Sequence, residues 1–287
     1  MDIELTRTFL EIAAAGSFVG AAERLNVTQT AVSARVRSLE DRLGRRLFVR
    51  NKSGATLTPA GEQFLRHAPA LVQAWERARQ QVAVPDGRRA VVAIGCEPTL
   101  WDPLLLDWLL WMRKTAPDLA WRAHVGLADD LITRVADGVL DIAVVYAPRY
   151  RSGLKVELLV EEKLVLVTTA TTNVGDADTY VFVDWGPEFA ARHNMSFPER
   201  VNCGAFVGHG PLGLGYILAA GGSGYFRSRL VQPHLDGGRL RRVAGAPEFA
   251  YPAYAVHAEP GEPELIAVAL RGLRAAAARP GGEAAAT

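Results

Sequence analysis

The first 58 residues place apolar positions at the spacing of short helices. Over residues 4–15 apolar side chains recur every three or four positions, and Gly16 and Ser17 then supply a helix stop and a new N-cap. Another short helix follows Ser17. Thr28 is placed to cap a third helix, which Gly44 ends. The pattern predicts three helices joined by short turns, of which the last two form a helix-turn-helix.

The third predicted helix has an apolar stripe and a polar outer face. In a helix-turn-helix the second helix lies in the major groove, with its N-terminal residues at the base edges. Gln29 can donate to and accept from an adenine edge, whereas arginines pair with phosphates or guanine. DNA contacts are therefore predicted for these residues of the helix: Thr28, Gln29, Thr30, Ser33, Arg35 and Arg37.

Two short strands are predicted after Gly44, around a turn at residues 52–54, and they form a wing. Arg50 and Lys52 on this wing are expected to reach the DNA backbone or the minor groove. Residues 33–52 carry seven basic and two acidic side chains, although the whole chain has a net charge of only +1. Such a local excess attracts phosphates, but a solvated helix face has the same charge, so charge alone leaves both interpretations open.

Residues 59–89 predict a long helix followed by a linker. Pro59 suits a first helical turn, and residues 84–89 contain a proline and a glycine typical of a hinge. Apolar residues repeat at alternating spacings of four and three, which favours pairing with another helix or packing on the helix's own domain. The repeat comprises Phe64, Ala68, Leu71, Trp75, Ala78 and Val82.

From residue 90 to about 280, apolar strands alternate with helices, which predicts mostly parallel sheets flanked by helices. We expect one lobe from residues 90–165 with 252–280, and a second from residues 166–251. A cleft between such lobes is where ligands tend to bind. The fold class is therefore α+β overall, and residues 281–287 are predicted to be a disordered tail.

The segment AAERLNVTQTAVSARVRSLEDRLGRRLFVR, followed by TLTPAGEQFL, resembles the N-terminal domain of LysR-type transcriptional regulators. The resemblance implies a winged helix-turn-helix, a long helix that pairs with its copy, and a C-terminal domain similar to type 2 periplasmic binding proteins. It also implies these partners: an inverted-repeat site in double-stranded DNA, a second copy in a homodimer or homotetramer, a small-molecule effector and RNA polymerase. Ala34 stands where many relatives carry arginine or glutamine, which predicts a different operator preference. The segment VDWGPEF resembles a subset that includes regulators of flagellar genes.

Carried over by position, the resemblance implies that the effector cleft draws on both lobes. Thr99 and His209 precede predicted helices, whose N-termini favour an anion, so a carboxylate ligand is expected. Tyr146 and Trp185 either stack on a ligand ring or pack in the core. The implied cleft residues are Cys96, Glu97, Thr99, Leu100, Asp129, Tyr146, Pro148, Trp185, Gly186, Phe206, Gly208 and His209.

Three alternative functions compete with a ligand-controlled DNA-binding regulator. An enzyme is disfavoured because no nucleophile elbow, phosphate-binding loop or metal-binding cluster occurs, so neither cofactor nor metal is expected. A redox sensor would use Cys96 and Cys203, but no basic residue adjoins either thiol in sequence. A DNA-binding protein whose C-terminal domain serves only assembly is the third. The chain carries no apolar stretch that suits a membrane span or a signal peptide, and we expect it in the cytoplasm.

Overall fold

The computed structural model describes residues 2–51, 54–169, 179–198, 205–259 and 263–279. They form two compact units. The first contains the residues up to Val91 together with Thr133–Leu140, and the second contains Val92–Ile132 and the chain from Asp141 onward. The predicted tail at 281–287 lies outside the described residues.

The first unit begins with the predicted winged helix-turn-helix. Its elements are α1 (Ile3–Ala15), α2 (Phe18–Leu25), α3 (Gln29–Leu43), β1 (Phe48–Asn51) and β2 (Gly54–Leu57), with β1 antiparallel to β2. The hydroxyls of Ser17 and Thr28 accept from the amides of Gly20 and Ala31, at 3.0 and 3.2 Å. Gly44 ends α3 at φ 64°, in the left-handed region that favours glycine. The local start and stop signals in the sequence are confirmed.

A buried carboxylate joins α3 to the wing. Glu40 is 6% exposed, and its Oε1 accepts hydrogen bonds from the amides of Leu47 and Phe48, at 2.7 and 3.3 Å. These amides begin the wing, whose geometry relative to α3 is therefore fixed by hydrogen bonds to a charged acceptor. The core around it contains Leu5, Phe9, Ile12, Phe18, Ala21, Ala22, Val32, Val36, Leu39 and Ala68.

The long helix α4 spans Pro59–Val82, and a second buried carboxylate ties it to α1. Glu76 is 1% exposed and forms ion pairs with Arg7 of α1 and with Arg79, whose Nη2 lies 2.8 Å from Glu76 Oε2. A buried charge is tolerated only when it is paired, so Glu76 needs both arginines. The register of α4 on the N-terminal domain depends on this contact.

The second unit contains two sheets, which define its lobes. Lobe 1 has the strand order β4-β3-β5-β13-β6. Its strands are β3 (Ala90–Cys96), β4 (Leu119–Val125), β5 (Ile142–Val145), β6 (Leu154–Val160) and β13 (Ala253–Ala258), and its helices are α5 (Leu106–Thr115), α6 (Ala128–Ala136) and α10 (Pro263–Ala278). The first residues of β3 and the end of α6 cluster with the first unit.

Lobe 2 has the strand order β11-β7-β10-β8-β9, and β12 also pairs with β7. Its strands are β7 (Lys163–Thr169), β8 (Tyr180–Val183), β9 (Ala205–Val207), β10 (Ser223–Arg227), β11 (Leu240–Arg242) and β12 (Phe249–Ala250), and its helices are α7 (Pro187–Ser196), α8 (Gly210–Ala220) and α9 (Ser228–Asp236). The whole of β7 belongs to this sheet, so the boundary expected between residues 165 and 166 falls inside a strand.

The structure departs from the predicted elements in two ways. The sequence pattern also predicts a helix from about Asp102 to Lys114, but this segment begins as an irregular turn at Trp101–Leu105, where Asp102 has φ −123° and ψ 125°, and becomes regular only at α5. The sheets are also less parallel than expected, because β13 runs antiparallel to both β5 and β6, and β10 runs antiparallel to β7. The chain crosses from lobe 1 to lobe 2 between β6 and β7, and it returns between β12 and β13.

We predict that Glu76→Gln lowers the free energy of opening between α1 and α4 by about 2 kcal/mol. The loss is smaller than for a fully enclosed ion pair because Arg7 is partly exposed. Amide hydrogen exchange in α1 and α4 measures this loss. The matched control is Glu23→Gln at an exposed position of α2, which should change the same free energy by less than about 0.5 kcal/mol. Equal protection in both variants would contradict the anchoring role.

Candidate functional site

The outer face of α3 presents polar side chains to solvent. Gln29, Thr30 and Arg37 are exposed, and Ser33 is half-buried between them and the wing. Thr28 caps the helix and is exposed at its N-terminus. This is the surface that the sequence predicted for base contacts, with the helix N-terminus as an additional site for a phosphate.

Arg50 connects the wing to this face. Its Nη2 donates to Ser33 Oγ at 2.9 Å, and its guanidinium carbon lies 3.7 Å from the centroid of the Phe18 ring. Stacking on Phe18 fixes the guanidinium in orientation while the residue remains exposed. The wing arginine and the recognition helix therefore form one continuous surface. Lys52 lies outside the described residues.

Arg35 does not join this surface. Its Nη1 donates to Thr8 Oγ1 at 3.4 Å and lies 4.0 Å from Glu4 Oε2, so the side chain faces α1. Two residues along a helix correspond to about 200° of rotation, which places Arg35 opposite Ser33. The sequence prediction grouped Arg35 with Ser33 because they are close in sequence, whereas their positions around the helix axis separate them.

The apolar repeat of α4 divides into two parts. Ala68 is fully buried and Phe64 lies 4.9 Å from the ring of Phe9, so this end packs on its own domain. Toward the C-terminus, Trp75 is 51% exposed and Val82 is 89% exposed, with Ala78 exposed between them. Leu71 is half-buried at the change. The exposed half leaves an apolar stripe on the helix, consisting of Leu71, Trp75, Ala78 and Val82.

A cavity of about 860 Å³ opens where the two lobes meet. Of the implied cleft residues, Glu97, Tyr146, Pro148, Trp185 and Gly186 line it. Its other lining residues are Ala147, Val156, Asp184, Pro187, Glu188, Phe189, Arg192, Phe249, Ala250, Tyr251, Pro252 and Tyr254. The cavity has the size of a small-molecule site and lies at the strand ends, as expected.

The other implied cleft residues lie outside this lining: Cys96, Thr99, Leu100, Asp129, Phe206, Gly208 and His209. Cys96 and Leu100 are 1% exposed and belong to the core of lobe 1. Asp129 pairs with Arg149 at 3.6 Å on the surface. Phe206, 68% exposed, borders a smaller neighbouring pocket, where it stacks on Phe182.

The two helix starts that suggested a carboxylate are also separate from the cavity lining. Thr99 precedes the irregular turn, and its hydroxyl donates to Tyr146 Oη at 3.5 Å. His209 is the N-cap of α8, with no side-chain hydrogen bond to the helix. Thr99 therefore contacts a cavity residue, and neither helix start is among the residues that line the cavity.

A buried ion pair lies behind the cavity. Arg227 ends β10 at 1% exposure, and its Nη1 lies 3.3 Å from Glu162 Oε2, which is also buried. The guanidinium donates to the carbonyl of Asp102 in lobe 1 at 3.1 Å and lies 6.0 Å from the Tyr146 ring. Tyr146 in turn stacks on Tyr251 with their centroids 4.1 Å apart. This chain of contacts connects the two lobes at the rear of the cavity.

Glu97 is the carboxylate that projects into the cavity from lobe 1. Its Oε1 accepts from the Tyr146 amide at 3.4 Å, and none of its hydrogen bonds or ion pairs to the described residues involves a basic side chain. Burial raises the pKa of Glu97 above the ordinary value, which the Tyr146 hydrogen bond only partly offsets. No ion pair with a basic side chain of the described residues therefore stabilises the ionised form of Glu97.

Several cavity residues escaped the sequence analysis because they come from the second crossover and from α7. Tyr251 and Tyr254 flank the return into lobe 1, about 155 residues from Glu97 in the chain. Glu188 and Arg192 are one helical turn apart on α7, which was not predicted. The spacing of four residues between Glu188 and Arg192 is the signal that would have placed these two side chains together.

Comparison with known proteins covers both units. A model described as "Bacterial regulatory helix-turn-helix protein, lysR family" matches residues 3–62, and the "LysR substrate binding domain" matches residues 85–177. The HTH-type transcriptional regulator HdfR of Escherichia coli O139:H28 is 34% identical over 192 residues, covering 66% of this chain and 68% of HdfR. The chain belongs to the LysR family of transcriptional regulators. It is a DNA-binding regulator with an effector-binding domain and not an enzyme.

Solved structures of the LysR family have the same fold. ArgP from Mycobacterium tuberculosis has a TM-score of 0.57 at 23% identity, covering 97% of this chain and 98% of ArgP. LysG from Corynebacterium glutamicum has a TM-score of 0.52 at 21% identity, covering 96% of this chain and 98% of LysG. These likenesses establish the shared architecture. The family expected from the N-terminal motif is confirmed by the family models and by the likeness to HdfR.

Two features are absent from the described residues. Within them, no helix combines the length and the apolar character that a bilayer crossing requires. The same part of the chain holds no grouping of three or more histidine, cysteine or acidic side chains suited to a metal ion.

Cys96 is predicted to be unreactive in the folded regulator. Burial, together with the charge of Glu97, raises the pKa of its thiol to about 12, so the thiol stays protonated at pH 8. Iodoacetamide should label Cys96 at least about 100-fold more slowly in native protein than in urea-unfolded protein, as peptide mass spectrometry can measure. Rapid native labelling, or a peroxide-induced link to Cys203, would restore the redox hypothesis. Cys203 lies outside the described residues.

Proposed function

We propose that this LysR-family protein binds an inverted-repeat operator as a homodimer or homotetramer, and that a small molecule in the interlobe cavity alters this binding. The observation that carries the DNA-binding surface is the contact between Arg50 of the wing and Ser33 of α3. It aligns a base-reading helix and a backbone-binding cation on one exposed face, which is the arrangement a winged helix-turn-helix uses.

Individual contacts follow from the exposure of each side chain. Gln29 and Thr30 at the start of α3 read base edges, while Arg37 and Arg50 neutralise phosphates. Ser33 and Thr28 supply hydroxyls at the groove. Lys52 extends the phosphate contacts from its sequence position beside the wing strand. Arg35 would have to leave Thr8 and Glu4 before reaching DNA, so we assign it the smallest share of the binding energy.

The exposed apolar stripe of α4 is proposed to pair with the same stripe of a second copy. Burying an exposed tryptophan and valine in a helix–helix seam removes apolar surface from water, which stabilises association. Two copies then present two α3 helices, and a two-fold pair of such helices matches an inverted repeat.

The cavity is proposed as the control point because it lies where both lobes contribute side chains. A ligand that binds one relative arrangement of the lobes more tightly shifts the protein toward that arrangement. We propose that this shift changes the spacing of the paired α3 helices, and with it the bend of the operator and contact with RNA polymerase. We propose that the regulator acts on the chromosome, in the cytoplasm.

The base-reading and phosphate-binding roles are separable by mutation. Gln29→Ala should weaken binding to an operator selected from random DNA by about 1–3 kcal/mol while leaving random DNA unaffected. Arg50→Ala should weaken both and reduce the slope of log K against log salt by about 1. Fluorescence anisotropy across a salt series measures both effects.

The control for the charge change is Arg113→Ala, an exposed arginine on α5 outside the DNA-binding surface, which should leave both affinities unchanged. Equal losses on operator and random DNA for Gln29→Ala would show that Gln29 does not read bases.

Dimerisation through α4 predicts that Trp75→Glu produces monomers, because two carboxylates would enter an apolar seam. Sedimentation velocity measures the molecular weight directly. The matched control is Ala70→Glu, which adds the same charge to an exposed position about 140° away around the helix and should leave the oligomer intact. An unchanged sedimentation coefficient for Trp75→Glu would place the dimer interface elsewhere.

A further inference from the structure

The carboxylate ligand expected from the sequence would need a positively charged cavity, but the acidic side chains that line the interlobe cavity outnumber the basic ones. Three carboxylates and one guanidinium are among its lining side chains, contributed by Glu97, Asp184, Glu188 and Arg192. A carboxylate ligand entering this lining would meet more negative than positive charge. Like charges in a partly desolvated site repel strongly, so the lining disfavours an anion.

The remaining walls of the cavity are aromatic. Tyr146 and Tyr251 stack at 4.1 Å, and Trp185 meets Tyr251 edge to face at 5.4 Å. The other aromatic lining residues are Phe189, Phe249 and Tyr254. Aromatic faces attract cations through their quadrupole, and ammonium ligands are recognised in cages of such rings.

Two cations already contact rings of this lining, and one of them is Arg227, whose guanidinium carbon lies 6.0 Å from the centroid of the Tyr146 ring. The guanidinium carbon of Arg192 lies 5.4 Å from the centroid of Phe249, within the range of a cation–π contact. Glu97 lines the same cavity as Tyr146 and Tyr251 and accepts from the Tyr146 amide at 3.4 Å, and its carboxylate has no basic partner among the described side chains. The arrangement of an unpaired carboxylate beside two stacked tyrosines is complementary to an ammonium group.

We propose that the effector of this regulator is a small organic cation, whose ammonium group lies between Glu97 and the stacked pair Tyr146 and Tyr251, with Asp184 supplying the second negative charge. The apolar body of the ligand lies against Trp185 and Phe249. This inference rests on the proposed role of the cavity as the effector site and specifies the chemical class of its ligand.

Three probes of the same shape and different charge test the proposal on the full-length chain. Choline is the cation, 3,3-dimethylbutan-1-ol replaces its quaternary nitrogen by carbon, and 3,3-dimethylbutanoate carries a negative charge. Calorimetric or ligand-observed NMR titration should show choline binding about tenfold more tightly than the alcohol, with the carboxylate weakest of the three.

Variants locate the binding site within the cavity. Glu97→Gln and Asp184→Asn keep the shape of each side chain and should each weaken choline binding by about tenfold, without changing the affinity for the alcohol. Glu161→Gln, at an exposed position outside the cavity lining, is the matched control and should bind choline like the parent protein. Tyr251→Leu removes an aromatic face without a charge change and should reduce the preference for choline over the alcohol.

The proposal is overturned if the alcohol or the carboxylate binds as tightly as choline, if choline does not bind at tens of millimolar, or if Glu97→Gln leaves choline affinity unchanged. Specific DNA binding is measured on the same preparations. If the parent protein binds specific DNA but does not prefer choline over the other two probes, only the proposed ligand class is contradicted. If the parent protein does not bind specific DNA, the proposed function itself is contradicted.

Discussion

The buried ion pair between Glu162 and Arg227 is the contact on which the effector domain depends. Both side chains are at most 3% exposed, so each charge is stable only because the other is present. Arg227 also donates to the Asp102 carbonyl, which brings the end of β10 in lobe 2 against the irregular turn of lobe 1. Glu162 accepts in addition from the Arg229 amide at 3.2 Å. The ion pair therefore connects the two lobes at the rear of the cavity, and the stacked pair Tyr146 and Tyr251 lies in front of it.

Buried carboxylates have the same role in the N-terminal domain. Glu40 fixes the wing to α3, and Glu76 fixes α4 to α1, each through hydrogen bonds that a neutral side chain would satisfy less well. The exposed functional groups, Gln29 and Arg50 among them, stand on this frame. Precise placement of a recognition helix requires rigid supports, because a misplacement of about 1 Å is enough to lose base contacts.

The sequence predicted what local physics determines. Caps such as Ser17 and Thr28 define helix starts through bonds within a few residues, and the family motif lies in one continuous segment, so both were found. The cavity depends on contacts between distant segments. Tyr146 and Trp185, which follow strands, both line the cavity, whereas Tyr251 comes from the return crossover and was not anticipated. A DNA contact was predicted for Arg35 from its charge, whereas in the structure its side chain faces Thr8 of α1. The carboxylate expectation failed to find support for a related reason, since it was inferred from helix starts without knowledge of which side chains share the cavity.

The central claim, that the wing and α3 form a sequence-specific DNA-binding surface, is tested most directly by footprinting the purified protein on the DNA upstream of its own gene, with random DNA as competitor. The account predicts protection of an inverted repeat that persists when competitor is in excess, with the two half-sites separated by about one helical turn or a multiple of it. Protection that disappears equally with any competitor DNA, or no protection at all, would contradict it.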